Sequence, residues 1–380
     1  MNQSINTLSN NYQKNEGVEL LRIVAMFMIV MLHCLGQGGI LDNAVKYSLN
    51  YNVAYIFEFL CFGAVNLYAL TTGYVCLCSK NKKSRLISLW FEVIFCSIAI
   101  TFTFWLLPDY HIGKGTLLFS AFPLLTGKYW YFTCYVCVFL AAPFLNRAIL
   151  DLDRIQLKKF IIFGYILLTV VSFLGYFQKG DLFRISEGYS PIWLIFLYIC
   201  GGYIRLYGLG NFSNILFALS YLVFSIINYL GYVIIEFISD NYYNITVLNL
   251  KVYNSPFIFI ASLSLFALFA NSKKIKLGKI GIKIASASFF VYLLSVHPLM
   301  FKYIQKDMLI EYANSNIFVM ISMVIIYSIC IYISCTIIGL LIKQFLKLIK
   351  IDLISGRICK IMGNFYYKIE KKVSKLFLKG

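Results

Sequence analysis

Residues 17–39 read GVELLRIVAMFMIVMLHCLGQGG, and this stretch is long and apolar enough to form a helix that crosses a lipid bilayer. Glu19, Arg22 and His33 interrupt it. The eleven steps from Arg22 to His33 correspond to roughly 16 Å along a helix, about half of a ~30 Å hydrocarbon core. Eleven steps are also close to three helical turns, so both side chains are expected on nearly the same face.

Charged and polar groups at membrane depth carry a free-energy cost in lipid, and they usually face protein or a water-filled cavity. Arg22 and His33 are therefore candidate functional residues. The structural alternative is an Arg22 side chain that reaches the membrane interface and a His33 ring that hydrogen-bonds to another helix. Either residue taken alone fits both interpretations.

The composition of the whole chain is that of an integral membrane protein. Of its 380 residues, 60% are hydrophobic and 13% are charged, and the mean hydropathy is +0.78. These values exclude a pair of soluble domains. The chain has six prolines and no Gly/Ser-rich linker. We predict a polar N-terminal tail (1–16), one membrane domain (17–342) and a basic amphipathic cytoplasmic tail (343–380).

The hydropathy pattern predicts an all-α polytopic protein with about ten transmembrane helices. The ten apolar stretches cover residues 18–38, 52–77, 86–107, 129–145, 160–177, 191–207, 212–235, 255–270, 284–304 and 316–342. Lys and Arg are concentrated in the connections after the second, fourth and eighth stretches, which places both termini in the cytoplasm. No cleaved signal peptide is expected, because the first span directs insertion.

The net charge of +18 is accounted for by this topology and by the tail, without a nucleic-acid partner. Residues 343–380 alternate Lys and Arg with apolar side chains, a pattern that favours a helix on an anionic inner leaflet. The eleven cysteines lie mostly in apolar runs, without histidines or carboxylates at metal spacing. We interpret them as small buried side chains and expect no metal and no disulfide.

The predicted orientation gives each polar residue of the spans a depth. Three basic residues are expected at the inner mouth of the membrane domain, namely Arg22, Lys83 and Arg85. Three further polar residues are expected in the outer half, namely His33, Glu58 and His297. The sequence thus predicts a basic inner vestibule and a separate outer cluster.

Several of these segments resemble the acyltransferase-3 family of bacterial membrane acyltransferases. The first span has the Arg and His separated by ten residues that mark this family, and NLYALTTGYVC (66–76) resembles its Asn-x5-Ser-Gly-Tyr/Phe segment, with Thr72 in place of Ser. KSRLISLWFEVIF (83–95) resembles the Arg-x-Arg start of its third helix, with Lys83 as the first basic residue. Segments 128–146, 189–208 and 289–300 resemble the branch that O-acetylates Gram-positive surface polysaccharides.

The resemblance implies a multi-pass enzyme of the bacterial cell membrane that transfers an acetyl or other acyl group from cytoplasmic acyl-CoA. The acceptor would be a hydroxyl of a surface polysaccharide or of a lipid-linked sugar. The CoA phosphates need cations, which implies Arg22, Lys83 and Arg85 as donor-binding residues. His33 is the candidate general base, and an acyl-enzyme at the same residue is an open alternative.

Three polar residues have a catalytic and a structural interpretation. Glu92 contributes to the donor site, or it forms an ion pair with Arg22 or Arg85. Glu58 either orients His33 and compensates its charge, or lies near the interface where water solvates the Glu58 carboxylate. His297 supports the acceptor site, or it caps backbone carbonyls that Pro298 frees.

The remaining candidates are substrate contacts. Asn66 bridges helices or touches substrate. Four aromatic residues near the outer ends of spans stack on sugar rings or belong to the interfacial aromatic belt, namely Tyr129, Trp130, Tyr131 and Trp193. Trp130 and Tyr129 are the preferred sugar contacts among them.

Two other classes of function fit the pattern. One is a transporter or channel whose permeation path is lined by Arg22, Glu92, His33 and Glu58. It predicts substrate flux without turnover of acyl-CoA. The other is a non-catalytic membrane component that presents its basic tail to a polysaccharide-synthesis complex, and it predicts that His33→Ala has no effect.

Overall fold

A computed structural model describes residues 15–77, 83–176, 180–210, 212–241, 250–272 and 274–377, with side chains through Asn364. Regular structure within these ranges is entirely helical. Most of the predicted N-terminal tail lies outside the described residues. The all-α fold class is confirmed.

The described helices of at least twelve residues are numbered in chain order. They are α1 (Glu16–Gly36), α2 (Leu49–Phe62), α3 (Ala64–Cys76), α4 (Lys83–Leu106), α5 (Trp130–Asp151), α6 (Arg154–Tyr165), α7 (Pro191–Tyr207), α8 (Asn214–Asn241), α9 (Pro256–Asn271), α10 (Gly278–Ser295), α11 (Ile317–Leu348) and α12 (Ile351–Phe377). A π-helical turn (Ile166–Val171) carries α6 on to Tyr176.

Among the described residues, eight helical stretches are long and apolar enough to cross a membrane. Helices α7 and α9 are apolar but shorter. The protein is therefore a polytopic membrane protein, as the hydropathy predicts. Each of the ten predicted stretches overlaps one of these ten helical stretches. The number that spans the bilayer and the side of each terminus stay predictions.

Helix α1 is the centre of the bundle and contacts α2, α3, α9, α10 and α11. It begins where the Asn15 side chain accepts hydrogen bonds from the N–H groups of Gly17 and Val18, which are otherwise without helical partners. The Asn15 amide also donates to the Ala270 carbonyl at the end of α9, at 2.8 Å. The cap therefore sets where α1 begins and attaches it to a neighbouring helix.

Helices α3 and α7 pack together at two glycines. A Cβ atom at Gly73 would lie 1.9 Å from the carbonyl oxygen of Tyr198, and one at Gly201 would lie 2.1 Å from that of Leu70. Small residues permit this close approach of two backbones, which gives dispersion contacts in a membrane bundle. The Thr-Gly-Tyr segment of α3 is thus a packing element.

The C-terminal tail is helical and begins against α4. The last predicted span continues to Leu348, six residues past its predicted end at 342. The chain then turns at Lys350, which has a φ of 57°, and enters α12. The Ser88 hydroxyl on α4 donates to the Asp352 carboxylate at 3.0 Å, and Ser355 is buried. The first turns of α12 are therefore attached to the membrane domain.

Gly73→Ala and Gly201→Ala should each lower the free energy of unfolding by about 1–3 kcal/mol, because the added methyl group meets backbone atoms that cannot move aside. The measurement is thermal unfolding of the purified protein in detergent. Gly363→Ala is the control, since nothing lies within 4 Å of its Cβ position. Equal stability of all three variants would contradict the close packing of α3 on α7.

Candidate active site

A cavity of about 860 Å³ lies beside α1 and is bounded also by residues of α3, α4, α5 and α10. Both Arg22 and His33 line it, in agreement with their expected position on one face of α1. The cavity therefore extends along the helix by at least the roughly 16 Å between these residues. Its volume is in the range of small-molecule sites.

One end of the cavity, here called the arginine end, is defined by Arg22 and Arg85. The Arg22 Nη1 atom lies 3.0 Å from Oε2 of Glu19, one turn earlier on α1. The Arg85 Nη1 atom lies 3.6 Å from Oε1 of Glu92, two turns later on α4. Each carboxylate occupies part of a five-donor guanidinium group, so N–H donors remain for a ligand.

Two predicted members of the donor site do not line the cavity. Glu92 is paired with Arg85, so the ion-pair interpretation fits its position better than direct contact with a ligand. Lys83 is the first residue of α4 and is exposed. Lys83 and Arg85 are two residues apart on α4, so their side chains point to different sides of the helix, and only Arg85 reaches the cavity lining.

The middle of the cavity is aromatic. Tyr68, Tyr131 and Tyr292 line it, and the Tyr131 ring lies edge-on to both others, with centroid distances of 6.4 and 6.1 Å. The Tyr68 hydroxyl donates to the main-chain carbonyl of Arg22 at 2.7 Å. The two ends of the cavity are thus joined by a section lined with tyrosine rings.

The other end, here called the histidine end, contains His33 and Gln37 from the last turns of α1. The His33 ring packs against Phe301 at 4.8 Å between centroids. In the part of the chain that the structure describes, its buried Nδ1 atom has no hydrogen-bond partner. The imidazole is therefore held by packing, and because Nδ1 is enclosed by protein, Nε2 is the ring nitrogen left for proton transfer in the cavity.

The expected contact between Glu58 and His33 is not formed. The Oε1 atom of Glu58 lies 2.9 Å from Nζ of Lys251, whose ammonium also lies over the Tyr55 ring. Glu58 does not line the cavity. A buried carboxylate is stabilised by an opposite charge, and Lys251 supplies that charge from a distant part of the chain.

His297 also has a structural environment. Its Nδ1 atom accepts a hydrogen bond from the N–H of Leu299 at 3.2 Å and caps the short helix Pro298–Met300. Its Nε2 atom is 3.5 Å from the Thr101 hydroxyl. His297 is fully buried and is not part of the cavity lining, although Val296 and Pro298 are. Its ring therefore shapes the wall without facing the cavity.

Asn66 is a bridge between helices. Its side-chain oxygen accepts from Nε1 of Trp193 at 2.9 Å, and its amide donates to the Tyr253 carbonyl at 2.9 Å. Asn66 and Trp193 have no exposed surface. The aromatic-belt interpretation of Trp193 is wrong, because its indole N–H has a partner in the protein core.

The predicted aromatic sugar contacts separate into two groups. Tyr129 is buried, does not line the cavity and donates its hydroxyl hydrogen to the Leu293 carbonyl at 3.1 Å, so neither the belt nor sugar contact describes it. Trp130 and Tyr131 do line the cavity. The Trp130 ring stacks near Tyr253 with 19° between the planes, and Tyr253 is a lining residue that the sequence analysis missed.

Three lysines of the lining were not predicted from the sequence, namely Lys128, Lys302 and Lys306. Lys302 and Lys306 could have been recognised from the sequence, because they are four residues apart and follow His297 and Pro298 closely.

Among the described residues, no group of three His, Cys, Asp or Glu side chains is arranged to hold a metal ion.

A family model described as an acyltransferase domain matches residues 15–343, which is most of the chain. The chain belongs to the acyltransferase-3 family. No curated protein and no solved structure matches it. The matched region contains every residue that lines the cavity, so the cavity lies within the acyltransferase domain of this multi-pass membrane protein.

Glu58→Gln tests whether Glu58 acts in catalysis by this acyltransferase. Because Glu58 pairs with Lys251, the variant should lose about 1–3 kcal/mol of unfolding free energy and keep its acyl-transfer rate within about threefold. Unfolding in detergent and transfer per folded protein are measured. Glu58→Gln/Lys251→Gln is the control and should recover part of the stability. If Glu58→Gln had a normal unfolding free energy but no acyl-transfer activity, Glu58 would be assigned a role in catalysis.

Proposed function

We propose that this acyltransferase moves an acetyl group from cytoplasmic acetyl-CoA to a hydroxyl of a bacterial surface polysaccharide or its lipid-linked precursor. The observation that carries the proposal is the lining of a single cavity. Two guanidinium groups lie at one end of it, and an imidazole lies roughly 16 Å away along α1.

The arginine end suits a polyanionic donor. The diphosphate and 3′-phosphate of CoA accept charge-assisted hydrogen bonds, and Arg22 and Arg85 present planar sets of donors. Glu19 accepts a hydrogen bond from Arg22, and Glu92 lies within ion-pair distance of the exposed Arg85 side chain. The pantetheine arm is a flexible and weakly polar chain, which fits the aromatic middle of the cavity. The thioester would then reach toward His33.

At the histidine end, the acceptor hydroxyl would attack the thioester carbonyl while its proton passes to the His33 imidazole. The new C–O bond forms and the C–S bond breaks, so the electron pair leaves with the CoA thiolate. His33 then returns the proton to that thiolate. A positioned general base of this kind contributes roughly 10²- to 10⁴-fold to a rate.

The aromatic side chains around Trp130 support a carbohydrate acceptor. Trp130 lies 4.5 Å from Tyr189 and 6.0 Å from Tyr253, measured between ring centroids. Together these rings offer flat apolar surface to the C–H groups of a pyranose. Trp130 and Tyr253 face the cavity, which favours stacking on sugar over an interfacial belt position.

The transporter alternative is less well supported. It requires four polar residues along one path, namely Arg22, Glu92, His33 and Glu58. Glu92 and Glu58 are held in ion pairs and do not line the cavity. The two residues that remain are those that acyl transfer needs.

His33→Asn should lower acetyl transfer at least 100-fold, because it removes the proton acceptor while retaining a polar side chain. The assay follows release of CoA from radiolabelled acetyl-CoA by protein in nanodiscs, with and without surface polysaccharide. The control is His111→Asn, since His111 is exposed, lies outside the cavity, and has a φ of 44° that Asn tolerates.

Full acceptor-dependent release by His33→Asn would overturn the assignment of His33. Label that stays on the wild-type protein without acceptor would indicate an acyl-enzyme in place of direct transfer. Flux of a substrate without CoA release would favour the transporter alternative.

Arg22→Ala should raise the KM for acetyl-CoA about tenfold or more and change kcat less, because a charge-assisted hydrogen bond to phosphate contributes about 1.5–3 kcal/mol. Arg22→Lys should restore part of the loss. Arg147→Ala is the control, since Arg147 is exposed and pairs only at the surface with Asp151. An unchanged KM for acetyl-CoA in Arg22→Ala would show that the arginine end does not bind the donor.

A further inference from the structure

Three lysines line the histidine end of the cavity, namely Lys128, Lys302 and Lys306. In the described part of the chain, none of them forms a salt bridge with an acidic side chain. At the arginine end, by contrast, both arginines have carboxylate partners. The proposed mechanism uses none of these lysines.

Main-chain contacts hold Lys302 and Lys306 at this end. Pro298 is followed by the π-helical turn Phe301–Gln305, and the buried Gln305 amide donates to the Ser295 carbonyl at 2.6 Å. The N–H groups of Asp307 and Leu309 then donate to the carbonyls of Gln37 and Gly38, each at 2.9 Å. The backbone that carries both lysines is thus attached to the C-terminus of α1, beside His33.

The intervening side chains show which way this turn faces. Phe301 contacts His33, whereas the Tyr303 hydroxyl donates to the Tyr110 carbonyl at 2.9 Å outside the cavity lining. Lys302 and Lys306, four residues apart, both line the cavity. Both side chains are exposed, and the Lys302 ammonium lies over the Tyr303 ring, 4.7 Å from its centroid. Part of each lysine therefore borders the space that His33 also lines.

Lys128 reaches this end from a different part of the chain. Its Nζ atom donates to the Ser97 hydroxyl at 3.2 Å. Ser97 lies twelve residues after Arg85 on α4, or roughly 18 Å further from the arginine end. Lys128 is half-buried, and this burial lowers the pKa of its ammonium group. A partly buried cation without an acidic partner carries a desolvation cost that an anion would offset.

We propose that the histidine end binds an anionic group of the acceptor, a carboxylate or a phosphate near the hydroxyl that is acylated. This inference rests on the proposed function and specifies its acceptor. Lysine ammonium groups are flexible point charges, so three of them can surround either anion without a fixed bidentate geometry. The acceptor class is therefore an acidic glycan or a phosphate-bearing sugar.

The chemistry of transfer gives a second reason for an acidic acceptor. His33 becomes a cation when it takes the hydroxyl proton, and nearby ammonium groups oppose that charge. A bound carboxylate or phosphate compensates for these ammonium groups and stabilises the imidazolium as it forms. A neutral sugar would leave all the positive charges unmatched during the step.

Direct binding tests the proposal with the full chain in phosphatidylcholine nanodiscs and without acetyl-CoA. The probes are tetragalacturonate, a glycerol-phosphate tetramer and neutral tetragalactose, titrated calorimetrically. At least one anionic probe should bind tenfold or more tightly than tetragalactose. Lys302→Gln/Lys306→Gln should weaken that binding about tenfold or more, Lys128→Gln should weaken it in the same direction, and Lys302→Arg/Lys306→Arg should retain most of it.

The matched control is Lys279→Gln/Lys283→Gln. These two lysines are also four residues apart and exposed, but they lie on the first turns of α10, outside the cavity lining. Equal affinity for the neutral and anionic probes would overturn the proposal. Equal losses in the control and test pairs would do the same, because they would indicate a general charge effect.

Replacing phosphatidylcholine with phosphatidylglycerol tests whether the lysines bind an acceptor or an anionic lipid headgroup. Loss of probe binding in the anionic bilayer would assign the lysines to a lipid headgroup and overturn the acceptor assignment. Retained binding supports it. The titrations contain no acyl donor and require no proton transfer. A failure of acetyl transfer is thereby distinguished from a failure of anion binding.

Discussion

The structure depends on one constraint: a hydrocarbon layer supplies no water to solvate a charge or a free backbone group. Each charged side chain of the inner helices must therefore find an opposite charge in the protein or face a cavity. Glu19 and Glu92 meet this need for Arg22 and Arg85, and Lys251 meets it for Glu58. These pairs leave a small set of polar groups in the cavity, and that set determines what the protein can bind.

Under the proposed function, these pairs also divide the cavity into a donor end and an acceptor end. The arginines at one end have carboxylate partners and planar sets of donors, which suits recognition of one invariant donor. The lysines at the opposite end have longer flexible stems and no acidic partner among the described residues, which suits acceptors that differ in shape. His33 lies at the same end as the lysines and is positioned by ring packing against Phe301.

Local periodicity was enough to predict the helices and the common face of Arg22 and His33, because both depend on one helix. The environments of Glu58 and Asn66 could not be predicted in the same way. Asn66 meets Trp193 across 127 residues of sequence, and the partner of Glu58 is a single lysine in a connection between helices. Such contacts depend on how helices are arranged, which hydropathy does not encode. The lysines at 302 and 306 were missed because they lie at or beyond the end of an apolar run.

The wall beside His33 is built largely from main-chain hydrogen bonds, since Asp307 and Leu309 donate to the carbonyls of Gln37 and Gly38. Bonds of this kind do not depend on which side chains the turn carries. The scaffold and the chemical character of the histidine end are therefore separable. A relative could exchange residues 302 and 306 for neutral or acidic side chains and keep the same wall, so one catalytic framework could evolve toward chemically different acceptors through few substitutions.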